Sequence, residues 1–118
     1  MAKAVGIGGV FFRARDPDAL SAWYETHLGL SGFWAQPAGP TVFQPFAADT
    51  DYLPADRAWM LNLRVDDLDD LLAWLAAVGV AAETRPEWNT PETGRFARIH
   101  DPEGNPVELW QPPGDGDA

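Results

Sequence analysis

The last third of the chain contains a guanidinium and a carboxylate that could together bind a polar ligand. Arg98 and Glu108 belong to two runs of alternating pattern joined by Asp-Pro-Glu-Gly-Asn at 101–105. This joining sequence has proline and glycine where a tight hairpin turn favours them. The hairpin places Arg98 opposite Glu108, where the two form either an internal ion pair or a polar anchor for a ligand's carboxylate or hydroxyl.

Alternation along the strands adds aromatic and polar side chains to the same side of the sheet. In a strand, every second residue faces one side. The side chains that this pattern groups with the charged pair are Phe11, Arg13, Asn62, Arg64, Phe96 and Trp110. Aromatic walls with a few polar groups are typical of a small-molecule pocket, although a filled interior would show the same pattern.

Three further residues each have a functional and a structural interpretation. His100, beside the turn, is a candidate general acid or base, or forms a local hydrogen bond. His27 continues the apolar stripe of a predicted helix and is expected to be partly buried. Trp88 lies in a loop with proline, asparagine and threonine, and either covers the pocket as a lid or packs against its own loop or a dimer partner.

An internal repeat organises the elements that must position these residues. Residues 64–74 match residues 13–23 at six of eleven positions, including a tryptophan. We interpret the chain as one domain made of two copies of a strand–helix–strands unit. Module 1 spans about 5–48 and module 2 about 57–112, and the Pro/Gly-rich tail over 113–118 is expected to be frayed.

Each module contains one predicted helix. The helices are expected over 17–28 and 67–78, each with an aspartate N-cap and a glycine just beyond its end. The segments predicted as strands are 9–15, 32–36, 41–46, 60–65, 81–85, 95–100 and 106–111.

Composition excludes several classes of function. Cysteine is absent, so disulfides, cysteine-bound metal sites and a cysteine nucleophile are excluded. The chain has 18 acidic and 8 basic residues and a net charge of −10, which makes nucleic acids and anionic membranes poor partners. Solubility accounts for such a charge, and a cationic ligand is the alternative explanation. No apolar run approaches the ~18 residues of a membrane span, so we expect a cytoplasmic protein.

The doubled unit and the motif Asp-Pro-Glu-Gly-Asn-Pro-Val-Glu-Leu-Trp at 101–110 resemble the vicinal oxygen chelate superfamily. This superfamily includes glyoxalase I, extradiol dioxygenases, methylmalonyl-CoA epimerase and bleomycin-resistance proteins. The resemblance covers almost the whole chain. It implies an α+β fold of two βαβββ modules whose curled, mixed sheets enclose a ligand cavity, with the helices outside, and it implies a homodimer.

The resemblance also implies four positions for metal ligands, normally His or Glu. Gly9 and Met60 occupy the two first-strand positions, and Thr41 or Phe43 lies near the third. Only Glu108, at the fourth position, is a good ligand for a divalent ion. We therefore expect no metal and no other cofactor.

Three functions remain open at this stage. The first is a glyoxalase/bleomycin-resistance-like protein that binds a small molecule in an aromatic-walled cavity without a metal. The second is a lyase, isomerase or dioxygenase-type enzyme that uses Glu108 with Arg98 or His100. The third is a non-catalytic interaction dimer. The missing metal ligands favour the first, and a homodimer also fits the aromatic residues expected at the surface, which are Trp34, Trp59 and Trp88.

Overall fold

In the computed structural model, which describes residues 1–114, two helices pack against one face of a three-stranded sheet, so the fold is α+β. The tail predicted over 113–118 lies outside the described residues from position 115 onward. The elements in chain order are α1 (Pro17–Leu28), β1 (Leu61–Arg64), α2 (Leu68–Ala77), a short 3-10 helix (Pro86–Trp88), β2 (Arg95–His100) and β3 (Pro106–Gln111).

The predicted hairpin forms the centre of the sheet. β3 is the middle strand, with β2 antiparallel on one side and β1 parallel on the other. Arg98 pairs with Glu108, and Phe96 pairs with Trp110. The predicted register is therefore confirmed, because the length of the turn determines which residues of the two strands meet.

Both predicted helices are present and have the predicted caps. The side chains of Asp16 and Asp67 each accept a hydrogen bond of 3.1 Å from the backbone N–H three residues later. Gly29 and Gly79 follow the helix ends with φ of 77° and 87°. Such left-handed angles favour glycine, which has no Cβ to clash with the preceding turn.

The core lies between the helices and one side of the sheet. Ala97 and Ile99 of β2 and Val107 and Leu109 of β3 are fully buried. These four side chains alternate along the strands with the predicted site residues. Because the four face the core, the site residues between them face the other side of the sheet. The remaining buried members of the core are Leu20, Tyr24, Leu63, Leu68 and Leu75.

The strands predicted in the first half of the chain are not formed within the described structure. Residues 9–15, 32–36 and 41–46 belong to no strand or bridge, and the 81–85 segment contributes one isolated bridge to β2. Alternation indicates which residues share a face, but a strand also needs a neighbouring edge to pair its backbone groups. The repeat is therefore confirmed for the two capped helices, while the two-module architecture and its enclosed cavity stay predictions.

Candidate functional site

The side of the sheet that faces away from the helices carries the predicted aromatic pair. The rings of Phe96 and Trp110 are nearly parallel, with an interplanar angle of 8° and centroids 6.1 Å apart. The indole N–H of Trp110 donates to the carbonyl oxygen of Thr93 at 2.7 Å. This hydrogen bond holds the ring in place, so the pair forms a fixed aromatic wall beside Arg98 and Glu108.

The carboxylate of Glu108 is nearly buried and accepts two side-chain hydrogen bonds. The parallel pairing of β1 with β3 places Asn62 beside Glu108. Asn62 donates from Nδ2 to Oε1 at 2.6 Å, and the hydroxyl of Tyr52 donates to Oε2. Glu108 is only 9% exposed. A buried carboxylate requires such donors, because it loses its hydration on folding.

The guanidinium of Arg98 is held by Tyr52 and by aromatic rings. Its Nη2 donates to the backbone carbonyl of Tyr52 at 3.0 Å. Its central carbon lies 4.6 Å from the centroid of the Tyr52 ring and 5.8 Å from that of the Trp88 ring. Both distances are within the range of cation–π attraction. The Nε of Arg98 is buried and has no hydrogen-bond acceptor among residues 1–114.

Of the two interpretations of Arg98 and Glu108, the internal ion pair is wrong, although the predicted register is right. None of the ion pairs and hydrogen bonds found in the described part of the chain joins the two side chains. Tyr52 interacts with both groups instead, through its hydroxyl with Glu108 and through its ring and carbonyl with Arg98. Cross-strand pairing brings two residues near each other but does not determine where their long side chains end.

Tyr52 is the site residue that the sequence analysis missed. It lies in an irregular stretch between the predicted 41–46 strand and β1, where the sequence shows no strand or helix pattern. Burial, together with the hydrogen bond to Glu108, raises the pKa of Tyr52 to about 12, and the charge of Arg98 opposes this rise. The side chain is therefore a neutral hydrogen-bond donor at neutral pH. The sequence indicates a role for Tyr52 only through its residue type, since the hydroxyl of a tyrosine whose ring is buried usually forms a hydrogen bond with a polar group.

The other predicted site residues are distributed between the sheet and the first half of the chain. Arg64 lies on β1, and its Nη2 donates to the carbonyl of Pro37 at 2.9 Å. Phe11 and Arg13 are exposed, and Phe11 is 93% accessible. The structure does not bring Phe11 and Arg13 to the sheet, because the segment that carries them is not paired with any strand.

The two histidines and Trp88 have different surroundings. His100 is exposed at the end of β2, where it pairs with Pro106, so it does not lie opposite Glu108. His27 is half-buried, with Nδ1 2.9 Å from the carbonyl of Trp23 and its ring stacked on the same residue. Trp88 is half-buried in the 3-10 helix and packs edge-to-face on Tyr52, with centroids 6.4 Å apart. Trp88 therefore packs beside Tyr52 and Arg98, and its role as a lid stays a prediction.

A buried network ties the hairpin turn to α1. Asp101 is 4% exposed and accepts four hydrogen bonds of 2.7–3.0 Å, from the Tyr24 hydroxyl, the Asn105 side chain and the backbone N–H groups of Glu103 and Asn105. Burial and this carboxylate raise the pKa of Tyr24 far above its usual range. Glu103 accepts from the two backbone N–H groups ahead of α1, at 2.6 and 3.0 Å. The acidic residues of the turn motif therefore orient the hairpin.

The residues at the superfamily's metal positions do not fit a divalent cation. Glu108 uses both oxygens to accept hydrogen bonds, and Gly9 and Met60 supply no suitable ligand. Across residues 1–114, no group of three or more His, Asp or Glu side chains is close enough to hold a metal ion. We therefore derive no chemistry through a bound metal.

An open hollow of about 430 Å³ lies away from these residues. Small and apolar side chains of α2 and of residues 79–84 line it, and it includes none of the predicted site residues. It has no charged group that could orient a polar ligand, so the side of the sheet that carries Glu108 remains the better candidate.

Comparison with known proteins places the chain in a family. Residues 9–110 match the family model of a glyoxalase-like domain. TnmS3, an antibiotic binding protein from Streptomyces sp. CB03234, is 31% identical with a TM-score of 0.53, and the match covers 82% of this chain and 87% of that chain. A glyoxalase/bleomycin resistance protein from the same organism is 32% identical with a TM-score of 0.52, over 81% and 91% of the respective chains. No curated protein matches the chain.

The chain belongs to the glyoxalase-like family of the vicinal oxygen chelate superfamily. The superfamily resemblance inferred from the repeat and the turn motif is therefore confirmed. In the described part of the chain, neither helix has the length and apolar composition needed to cross a membrane.

Proposed function

We propose that the chain binds a small organic molecule beside Arg98 and Glu108, on the side of the sheet that faces away from the helices, without the divalent metal common in its superfamily. The observation that carries this proposal is the environment of Glu108. Its nearly buried carboxylate accepts hydrogen bonds from the Asn62 amide and the Tyr52 hydroxyl, and it lies beside the guanidinium of Arg98, which packs on aromatic rings. A few polar groups within an aromatic surface orient small ligands in proteins. The similarity to TnmS3, an antibiotic binding protein, supports an antibiotic as the ligand.

The chemistry of the site indicates which ligand groups it would recognise. Glu108 accepts hydrogen bonds and therefore suits a hydroxyl, amide or ammonium group. Arg98 has a buried Nε that is free to donate to a carbonyl or carboxylate of a ligand. The net charge of −10 attracts cationic molecules over a longer range, so a ligand with a basic group is favoured.

The alternative of a lyase, isomerase or dioxygenase-type enzyme has less support. A general base must lie within reach of the proton that it removes. His100 is exposed at the end of its strand and pairs with Pro106 instead of Glu108, and the guanidinium of Arg98 donates hydrogen bonds but does not accept a proton. A binding protein needs neither group to exchange a proton.

Tryptophan fluorescence can test the proposal, because Trp88 and Trp110 adjoin the site. Metal-free bleomycin and a panel of aromatic antibiotics with basic groups are titrated into the protein. We expect at least one compound to bind saturably with one site per chain. Arg98→Met and Glu108→Gln should each weaken that binding by about tenfold or more, which corresponds to the loss of about one charge-assisted hydrogen bond.

Arg95→Met is the matched control for the arginine variant. Arg95 lies on the same strand as Arg98, but its side chain is 43% exposed and its Nη2 donates a hydrogen bond to Asp69 at 2.6 Å. Arg95→Met should leave the affinity unchanged. Absence of saturable binding by every compound, or equal loss in Arg95→Met and Arg98→Met, would contradict the proposed site.

The first half of the chain supports a proposed homodimer. Phe11, Phe33 and Phe43 are 93%, 99% and 87% exposed, which is unusual for large aromatic side chains of a monomer. β1 lies at the edge of the sheet, and an edge strand has unpaired backbone groups that another strand can meet. A second copy of the chain would cover these apolar side chains.

A further inference from the structure

Tyr52 contacts the same two groups, Glu108 and Arg98, that the proposed site would present to a ligand. Its hydroxyl donates to Glu108, and its ring lies over the guanidinium of Arg98 with 4.6 Å between that group and the ring centroid. Its ring edge also meets Trp88. The polar groups of the site are therefore occupied by a side chain of the same protein, one that presents an aromatic hydroxyl group.

The segment that carries Tyr52 is attached more weakly than the strands beneath it. Around Tyr52 the described backbone hydrogen bonds are local, from Thr50 to Ala47 and from Arg57 to Pro54. Asn62 and Glu108, by contrast, lie on adjacent paired strands. Segments with few backbone hydrogen bonds open at a lower cost in free energy than the strands of a sheet.

Tyr52 satisfies the site only in part. Its carbonyl oxygen accepts from Nη2 of Arg98, but the buried Nε of the same guanidinium has no acceptor among the described residues. A buried donor without an acceptor is unfavourable. A ligand that supplies both a donor for Glu108 and an acceptor for this Nε would therefore replace Tyr52 with a better set of hydrogen bonds.

We propose that Tyr52 is a resident occupant of the binding site, standing where an aromatic hydroxyl group of the ligand lies in the bound state, and that residues 50–53 withdraw when the ligand enters. This inference rests on the proposed function and specifies the ligand class. The protein then binds its ligand only in the fraction of molecules in which Tyr52 has left. If Tyr52 occupies the site in at least nine of ten molecules, the apparent affinity is at least about tenfold below the intrinsic one.

The first test uses 4-methylphenol, which has the shape of the tyrosine side chain, and the unaltered protein. The chain has two tyrosines, so tyrosine labelled at Cζ alone gives one NMR signal for each of them. Addition of 4-methylphenol should shift the signal of Tyr52 as it is displaced, and leave that of Tyr24, which is bonded to Asp101 in the core. Saturation with 4-methylphenol while the Tyr52 signal stays in place would overturn the proposal.

The second test removes the occupant. Calorimetry should show 4-methylphenol binding to Tyr52→Ala at least tenfold more tightly than to the wild type. Toluene, which lacks the hydroxyl, should bind the same variant at least tenfold more weakly than 4-methylphenol. Adding Glu108→Gln to Tyr52→Ala should remove this preference, because the amide is a poorer acceptor than the carboxylate.

Phe46→Ala is the matched control for removal of an aromatic ring. Phe46 packs edge-to-face on Tyr52, with centroids 5.8 Å apart, but contributes no polar group to the site. This variant removes one packing contact of Tyr52 but none of its polar contacts, so its affinity for 4-methylphenol should change by much less than tenfold. Equal affinity of the wild type and Tyr52→Ala, or a preference of Tyr52→Ala for toluene, would overturn the proposal.

The outcomes for Tyr52 and for the proposed function are separable. Antibiotics that bind the wild type and Tyr52→Ala equally would support the binding function and refute the role of Tyr52. Tight binding of 4-methylphenol to Tyr52→Ala without any antibiotic binding would support the role of Tyr52 and contradict the antibiotic as the ligand.

Discussion

Replacing Glu108 by glutamine tests which side chain is its true partner. The structure shows a direct hydrogen bond to Tyr52 and no ion pair or hydrogen bond to Arg98. Two double-mutant cycles distinguish a direct interaction of Glu108 with Tyr52 from a direct interaction of Glu108 with Arg98. One combines Glu108→Gln with Tyr52→Phe, and the other combines it with Arg98→Met.

The magnitudes follow from the contacts. A hydrogen bond to a charged group contributes about 1.5–3 kcal/mol to stability, and both changes in the first cycle weaken the same bond. We expect a coupling free energy near the lower end, about 1.5 kcal/mol, because Tyr52 is partly exposed. In the second cycle, no hydrogen bond or ion pair joins Arg98 to Glu108, so the coupling should be smaller than in the first cycle and stay below about 1 kcal/mol.

Urea unfolding followed by tryptophan fluorescence supplies the four free energies of each cycle. Tyr24→Phe combined with Glu108→Gln is the control. The Tyr24 hydroxyl is bonded to Asp101 in the core, so these two changes should be additive within about 0.5 kcal/mol. A coupling of 2–3 kcal/mol between Arg98 and Glu108, with none between Tyr52 and Glu108, would refute the arrangement of the site and restore the direct ion pair.

Three further predictions concern pH, metal content and assembly. The stability advantage of the wild type over Tyr52→Phe should be constant below pH 10.0 and disappear as the pH rises through about 12. The reason is that folding raises the pKa of the Tyr52 hydroxyl from 10.0 to about 12, so ionisation favours the unfolded chain. An advantage that grows over this range in paired urea titrations would contradict a raised pKa of Tyr52 in the folded protein. Elemental analysis of protein purified without chelator should find less than one equivalent of transition metal per chain, and a stoichiometric metal lost in Glu108→Ala would show that the site does hold an ion. Light scattering at micromolar concentration should give the mass of a dimer, and Phe33→Ser should shift it towards the monomer if exposed Phe33 lies in the interface; a monomer mass for the wild type would refute the homodimer.

Local patterns in the sequence determined the elements that carry most of the site. The bounds of the two hairpin strands and their register follow from the five residues of the turn, which leave one way to pair the alternating residues. The helices follow from Asp16 and Asp67, whose caps act within three residues of the chain. The side of the sheet that faces the core follows from alternation, because Ala97 and Leu109 belong to a uniformly apolar set, whereas the alternate positions include the charged Arg98 and Glu108.

The tertiary structure alone decided which groups meet at Glu108. Tyr52 reaches this carboxylate across a separation of 56 residues from a stretch without periodicity, so no local pattern connects the two. Alternation predicts the side of the sheet on which Asn62 lies, but its donation to Glu108 depends on the parallel pairing of β1 with β3. Strand pairing also determines whether Phe11 reaches the site. Its segment alternates as a strand does, but it pairs with no strand edge within the described structure, so Phe11 stays away from the sheet. Alternation and capping act over a few residues, whereas a binding site depends on which distant backbone edges and side chains are brought together when the chain folds.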